Sequence, residues 1–119
     1  MATTRHHRID YIELSVTDLT VARAFYAGAF GWTFVDYGPT YAGIVGADGA
    51  EVGGLAVVET PAPAGGPLVL LYSDDLDASA EAVEAAGGSV VSGPYDFPGG
   101  RRFHFADPSG TVLGVWASS

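Results

Sequence analysis

Apolar and polar residues alternate along residues 9–16, which predicts a β-strand with two different faces. The apolar face carries Ile12, Leu14 and Val16. The mixed face carries Tyr11, Glu13 and Ser15. A strand of this kind packs its apolar face on the core and leaves the mixed face for solvent or a ligand.

An apolar stripe at helical spacing follows this strand and predicts the first helix, which Thr17 or Asp18 would cap and Gly31 would end. A second helix is predicted between Leu76 and the pair Gly87-Gly88. The remaining strands are predicted at residues 33–37, 41–45, 52–59, 68–72, 89–92, 102–106 and 111–116. The Gly- and Pro-rich stretches 60–67 and 93–100 indicate a linker and a loop.

The order of these elements repeats within the chain. Placing Asp18-Leu19 over Asp75-Leu76 aligns strand, acidic turn, Ala-rich helix, glycine and strand in both halves. We therefore predict an α+β fold in which duplicated βαβββ modules, about 8–60 and about 66–117, form a curved mixed sheet around a cleft. The helices would cover the convex side of that sheet.

Composition narrows the class of protein. The chain has 119 residues, which fits one domain, and it has no cysteine for disulfides or thiolate chemistry. Its net charge is −9 with five basic residues, so nucleic acid is not an expected partner. We also expect no membrane partner and a cytoplasmic location, because no long apolar run or secretory signal is present.

The opening and closing motifs resemble the vicinal oxygen chelate superfamily of glyoxalase I, bleomycin resistance proteins and extradiol dioxygenases. The opening motif is residues 11–32, with Thr17-Asp18-Leu19 and Phe30-Gly31-Trp32 inside it. The closing motif contains Gly100-Arg101-Arg102-Phe103 and Asp107-Pro108-Ser109-Gly110. The resemblance extends from Ile9 to Trp116 and implies the same fold.

The resemblance also implies where metal ligands would lie. They would come from the first and last strand of each half, at Tyr11, Gly53, Leu68 and Gly114. Divalent metals need several N, O or S donors, which these side chains do not supply. We therefore expect no metal and no cofactor. A metal trio of Glu13, Glu51 and His104 is a weaker alternative.

Aromatic and polar side chains on the mixed strand faces predict a small-molecule site. The candidate acid/base groups are Glu13 and His104. The candidate ligand-binding residues are Tyr11, Trp32, Tyr41, Glu51, Leu68, Tyr72, Tyr95, Arg102 and Trp116. Each also has an ordinary structural explanation: a paired carboxylate, a half-exposed histidine, or aromatic residues of the core.

Three functions are compatible with this pattern. The first is a bleomycin-resistance-like homodimer that binds an aromatic or cationic small molecule, such as an antibiotic or metabolite, in a metal-free cleft. The second is a metal-independent isomerase, cyclase or lyase that uses Glu13 as acid or base. The third is a metal-dependent glyoxalase-type lyase or a dioxygenase.

Overall fold

A computed structural model describes residues 5–60 and 66–119, and it contains two βαβββ modules in sequence. Module 1 consists of β1 (Ile12–Val16), α1 (Leu19–Phe30), β2 (Thr33–Asp36), β3 (Tyr41–Val45) and β4 (Glu51–Val57). Module 2 consists of β5 (Leu70–Tyr72), α2 (Leu76–Ala85), β6 (Ser89–Phe97), β7 (Gly100–Ala106) and β8 (Val112–Ala117). Residues 61–65 of the predicted linker lie outside the described residues.

Each module forms its own four-stranded mixed sheet. Sheet 1 has the order β1-β4-β3-β2 and sheet 2 the order β5-β8-β7-β6. The first and last strands of each module pair in parallel, and the other pairs are antiparallel. The predicted α+β class and the duplicated modules are thus confirmed.

The predicted repeat is visible in the way the two helices begin. The Asp18 carboxylate accepts a hydrogen bond from the Val21 amide at 3.0 Å, and the Asp75 carboxylate accepts one from the Ala78 amide at 3.1 Å. Both side chains satisfy a free N–H group at a helix start. Gly31 then ends α1 with a left-handed backbone, φ 72°.

One hydrophobic core joins the two modules. It contains Leu14, Ile44 and Leu55 from sheet 1 and Phe103 and Phe105 from sheet 2. Helix α1 contacts β4 of sheet 1, and its Phe25 ring lies 5.9 Å from the Phe105 ring of sheet 2. Helix α1 therefore contacts both sheets.

Strand β6 corrects the prediction of a loop over 93–100. The strand continues to Phe97, and the pairing with β7 shifts register between Ser92 and Tyr95. This irregularity leaves Gly93 and Pro94 without ladder partners, so a residue with no N–H group fits inside the strand. Tyr95 and Phe97 are therefore held on a strand and not on a loop.

A second bulge determines where Glu51 points. The register between β3 and β4 pairs Ile44 with Gly53 and then Val45 with Glu51, so Val52 is an extra residue. Without the bulge, Glu51 would share a face with the core-facing Gly53. With it, Glu51 lies on the outer face, beside Gly43.

The described part of the chain contains two helices, of 12 and 10 residues. Neither is long and apolar enough to cross a membrane.

Candidate functional site

The outer face of sheet 1 carries a cluster of tyrosines and carboxylates, which we call the acidic face. Its members are Tyr11, Glu13, Tyr37, Tyr41 and Glu51. Glu13 reaches this face because it lies opposite Gly54 in the ladder, one position out of phase with the core residue Leu14. Gly54 also makes room for the cluster, since a Cβ there would lie 2.1 Å from the Tyr41 hydroxyl.

Hydrogen bonds order the acidic face. The Tyr41 hydroxyl donates to Glu13 Oε2 at 3.0 Å and lies 2.6 Å from the Tyr11 hydroxyl. Because Tyr41 has one proton and gives it to Glu13, Tyr11 is the donor to Tyr41. The hydroxyl of Tyr37 donates to Glu51 in the same way. Two carboxylates thus accept from tyrosines on a surface open to solvent.

These contacts favour the protonated forms of Tyr37 and Tyr41. The hydrogen bond with Tyr11, assisted by desolvation and by the bond to Glu13, raises the pKa of Tyr41 above its usual value. The hydrogen bond to Glu51 raises the pKa of Tyr37. The hydroxyls of Tyr37 and Tyr41 therefore remain O–H donors to the carboxylates beside them.

The outer face of sheet 2 has the opposite character, and we call it the basic face. Its members are Tyr72, Tyr95, Phe97, Arg102, His104 and Trp116. Arg102 Nε donates to the Tyr95 hydroxyl at 2.5 Å, and that hydroxyl lies 3.0 Å from His104 Nε2. Since Tyr95 accepts from Arg102, its own proton remains available to the imidazole.

Aromatic rings lie around the Arg102 guanidinium of the basic face. The Arg102 guanidinium carbon lies 5.4 Å from the Tyr95 ring centroid and 5.2 Å from that of Phe97. Trp116 makes edge contacts with Phe97 at 6.2 Å and with Tyr72 at 5.0 Å. Tyr72 is 55% exposed, so this side of the aromatic group is open to a ligand.

Within one chain, the predicted site residues fall into two groups. Among the described residues, no hydrogen bond, ion pair or ring contact joins the acidic face to the basic face. The hydrogen bond that Glu13 makes lies within sheet 1, to Tyr41.

Two predicted ligand-binding residues lie outside both faces. Trp32 stacks on the buried Tyr26, with ring centroids 4.7 Å apart and an angle of 10° between the planes. Leu68 precedes β5 and is 37% exposed. Tyr37 was not among our candidates. The only hint in the sequence is its position four residues before Tyr41, across a short turn that contains Gly38.

The donor set for a metal is poor. A side chain at Gly53 would place its Cβ 2.1 Å from the Ile12 carbonyl oxygen, so no ligand fits there without a backbone shift. At Gly114, a Cβ would lie 2.4 Å from the Leu70 side chain. No group of three His, Cys, Asp or Glu side chains within the described ranges is arranged to hold a metal ion. The residues therefore do not fit the metal centre that the fold can carry.

Comparison with known proteins supports the resemblance. The family model described as Glyoxalase/Bleomycin resistance protein/Dioxygenase superfamily matches residues 8–115. A glyoxalase/bleomycin resistance protein/dioxygenase family enzyme from Burkholderia phytofirmans PsJN shares the fold, with a TM-score of 0.77 and 17% identity over 93% of this chain and 98% of that one.

Two relatives have more specific descriptions. TnmS3 from Streptomyces sp. CB03234, described as an antibiotic binding protein, is 28% identical with a TM-score of 0.70 and covers 100% of this chain and 99% of its own. The anthracycline biosynthesis protein DnrV from Streptomyces peucetius is 32% identical over 89% of this chain and 45% of its own length. The chain spans about half the length of the curated relatives that match at 29 to 32% identity. On this evidence, the chain belongs to the glyoxalase/bleomycin resistance protein/dioxygenase superfamily.

Proposed function

We propose that this chain binds a cationic aromatic small molecule between the acidic face of one copy and the basic face of a second copy. The observation that carries the proposal is that two groups of complementary side chains lie on different sheets, and that no hydrogen bond, ion pair or ring contact joins them in the described part of the chain. One face offers carboxylates and tyrosine hydroxyls, and the other offers Arg102 among aromatic rings. A homodimer would bring the two together around a ligand.

The chemistry of the faces selects the ligand class. Glu13 and Glu51 attract a cation, and the rings of Tyr72 and Trp116 offer stacking surfaces for a flat guest. The descriptions of TnmS3 and DnrV, an antibiotic binding protein and an anthracycline biosynthesis protein, point to the same class. The function would then be sequestration of an antibiotic or metabolite without a metal.

Doxorubicin, a fluorescent anthracycline with one amino group, is a suitable probe. We expect it to bind to the wild-type protein with quenched fluorescence. Glu13→Gln should weaken binding by roughly ten- to a hundredfold, because a charge-assisted hydrogen bond is lost. Val91→Asn, at an exposed position of β6, serves as the control. Wild-type protein that leaves doxorubicin fluorescence unchanged would contradict the ligand class.

A mixing experiment tests the shared site. One variant carries Glu13→Gln with Tyr41→Phe, and the other carries Arg102→Gln with His104→Gln. Each alone should bind poorly. After equilibration of a 1:1 mixture, about a quarter of the wild-type capacity should return, because half of the dimers are mixed and each mixed dimer holds one intact site. A monomer in sedimentation analysis, or no recovery on mixing, would contradict the dimeric site.

A second candidate function is acid/base catalysis, and the hydrogen-bond chain Tyr11–Tyr41–Glu13 favours it. A carboxylate that accepts a hydrogen bond from a tyrosine can take a proton from a bound substrate and return it. Glu13→Gln separates the two functions. In an enzyme it abolishes turnover and leaves substrate binding largely intact, whereas in a binding protein it weakens binding and no product forms. Mass spectrometry of the ligand recovered after incubation distinguishes these outcomes.

A further inference from the structure

A cavity of about 660 Å³ lies between the two modules, away from both outer faces. On one side it is lined by Ile12, Leu14 and Ile44 of sheet 1, on the face opposite Glu13. Val69 and Leu71, from the beginning of module 2, line the other side. The volume lies within the range of small-molecule pockets in proteins.

The lining of this cavity is apolar. None of the described residues that line it is charged, and the aromatic wall is Trp32, held in place by its stacking on Tyr26. This explains why Trp32 does not belong to the outer faces. A rigid indole with aliphatic side chains around it favours an uncharged guest, because a charged molecule would lose its hydration without gaining a partner.

Two residues that line the cavity are also partly exposed to solvent. Ile12 is 38% exposed and Val52 is 46% exposed, although both are aliphatic. Val52 is the extra residue of the β4 bulge, the same bulge that turns Glu51 to the acidic face. One irregularity thus supplies a carboxylate to the outer face and an aliphatic side chain to the cavity.

We propose that this cavity is a second binding site, for a neutral apolar small molecule, and that it is independent of the site on the outer faces. A guest would cover the exposed Ile12 and Val52 side chains and fill space that otherwise lacks packing contacts. A recess with walls from two modules suits a small molecule better than the flat surface of another chain. Because the guest would bind the folded state and not the unfolded state, it would also raise the free energy of unfolding.

The probe for the test is N-phenyl-1-naphthylamine, which is uncharged and fluoresces in apolar surroundings. The sequence has two tryptophans, so a Trp116→Phe background leaves Trp32 as the single indole. We expect one equivalent of probe to bind, to quench Trp32 emission by energy transfer and to raise the melting temperature. Glu13→Gln and Arg102→Gln should change neither the stoichiometry of the probe, nor the quenching of Trp32, nor the rise in melting temperature. A failure of this proposal can therefore be distinguished from a failure of the proposed site on the outer faces.

Matched variants locate the probe. Val52→Asp should weaken probe binding at least tenfold, because a carboxylate enters an apolar wall, and Val52→Trp should also weaken it by filling the opening. Val91→Asp and Val91→Trp are the controls at a valine of β6 that is 55% exposed. Equal effects at Val52 and Val91, or binding that survives both Val52 variants, would overturn the proposal. Probe release on self-association at high protein concentration would also overturn it, because a second copy would then occupy the cavity.

Discussion

The hydroxyl of Tyr26 in α1 donates a hydrogen bond of 2.7 Å to Asp107 Oδ2 in the turn between β7 and β8. This bond joins module 1 to module 2 inside the shared core, where Asp107 is 4% exposed. Asp107 Oδ1 accepts from the amides of Ser109 and Thr111, so the same carboxylate also orders the turn. The contact therefore links a helix of module 1 to a turn of module 2.

Tyr26→Phe should lower the free energy of unfolding by about 1 to 3 kcal/mol, because it leaves a buried carboxylate oxygen without its donor. Urea unfolding at pH 7 measures the change. Tyr37→Phe is the matched control: it removes a hydroxyl bonded to Glu51, but Tyr37 is 56% exposed. That control should alter stability by no more than about 0.5 kcal/mol. Equal losses of unfolding free energy in both variants would show that the buried hydrogen bond contributes no more to stability than the exposed one.

Asp107 should also make stability depend on pH. Burial raises the pKa of Asp107 above its usual value, even though bonds from Tyr26, Thr111 and Ser109 act in the opposite direction. The native state then binds this proton more tightly than the unfolded chain. The stabilisation from the protonated form is complete below the unfolded pKa and is lost as pH rises through the folded pKa.

Asp107→Asn isolates this contribution, because the amide does not titrate. The free energy of unfolding of wild type minus that of Asp107→Asn should fall as pH rises from about 3 to about 7. Urea unfolding curves of both proteins at several pH values measure this difference. A difference that is constant would mean that hydrogen bonds balance desolvation at this carboxylate, and one that rises with pH would mean that they outweigh it; either would contradict the prediction.

The two helix caps offer a test of the duplication. Asp18→Ala and Asp75→Ala should each cost about 1 kcal/mol, since each carboxylate bonds an amide at a helix start in the same geometry. Chemical denaturation provides the values, and Asp74→Ala, next to the second cap, is the control. Costs that differ by more than about 1 kcal/mol would show that packing, and not the cap, dominates one site.

The sequence predicts the parts of this fold that depend on local chemistry. A cap at Thr17 or Asp18 and a helix end at Gly31 act within a few residues, so both are predicted from the order of residues, and the structure places the cap at Asp18. The placement of Glu13 and Leu14 on opposite faces follows from the period of a strand. These predictions need no knowledge of distant contacts.

The remaining features depend on contacts between distant residues. The extra residue Val52 shifts the alternation in β4, so strand period alone gives the wrong face for Gly53. Helix α1 contacts Phe105 of sheet 2, and nothing in the local sequence around Glu13 or His104 shows this contact. The division of the candidate residues between the outer faces of two sheets could therefore not be predicted from the sequence.

Neighbouring glycines of β4 provide a last test, because they differ in what a methyl group would meet. At Gly53 a Cβ would lie 2.1 Å from the backbone carbonyl oxygen of Ile12, and at Gly54 it would lie 2.1 Å from the Tyr41 hydroxyl. A carbonyl in a strand ladder cannot move alone, whereas the end of a tyrosine side chain can.

Gly53→Ala should therefore disrupt the pairing of β1 with β4 and destabilise the protein by about 1 to 3 kcal/mol or more. Gly54→Ala should destabilise it less and displace Tyr41 from Glu13. Thermal unfolding followed by circular dichroism compares the stabilities of the two variants. Doxorubicin titration compares how well the acidic face of each variant binds the probe. Gly54→Ala should weaken doxorubicin binding while the protein stays folded. If Gly53→Ala is the more stable of the two, then β1 and β4 are not held in the register seen in the structure.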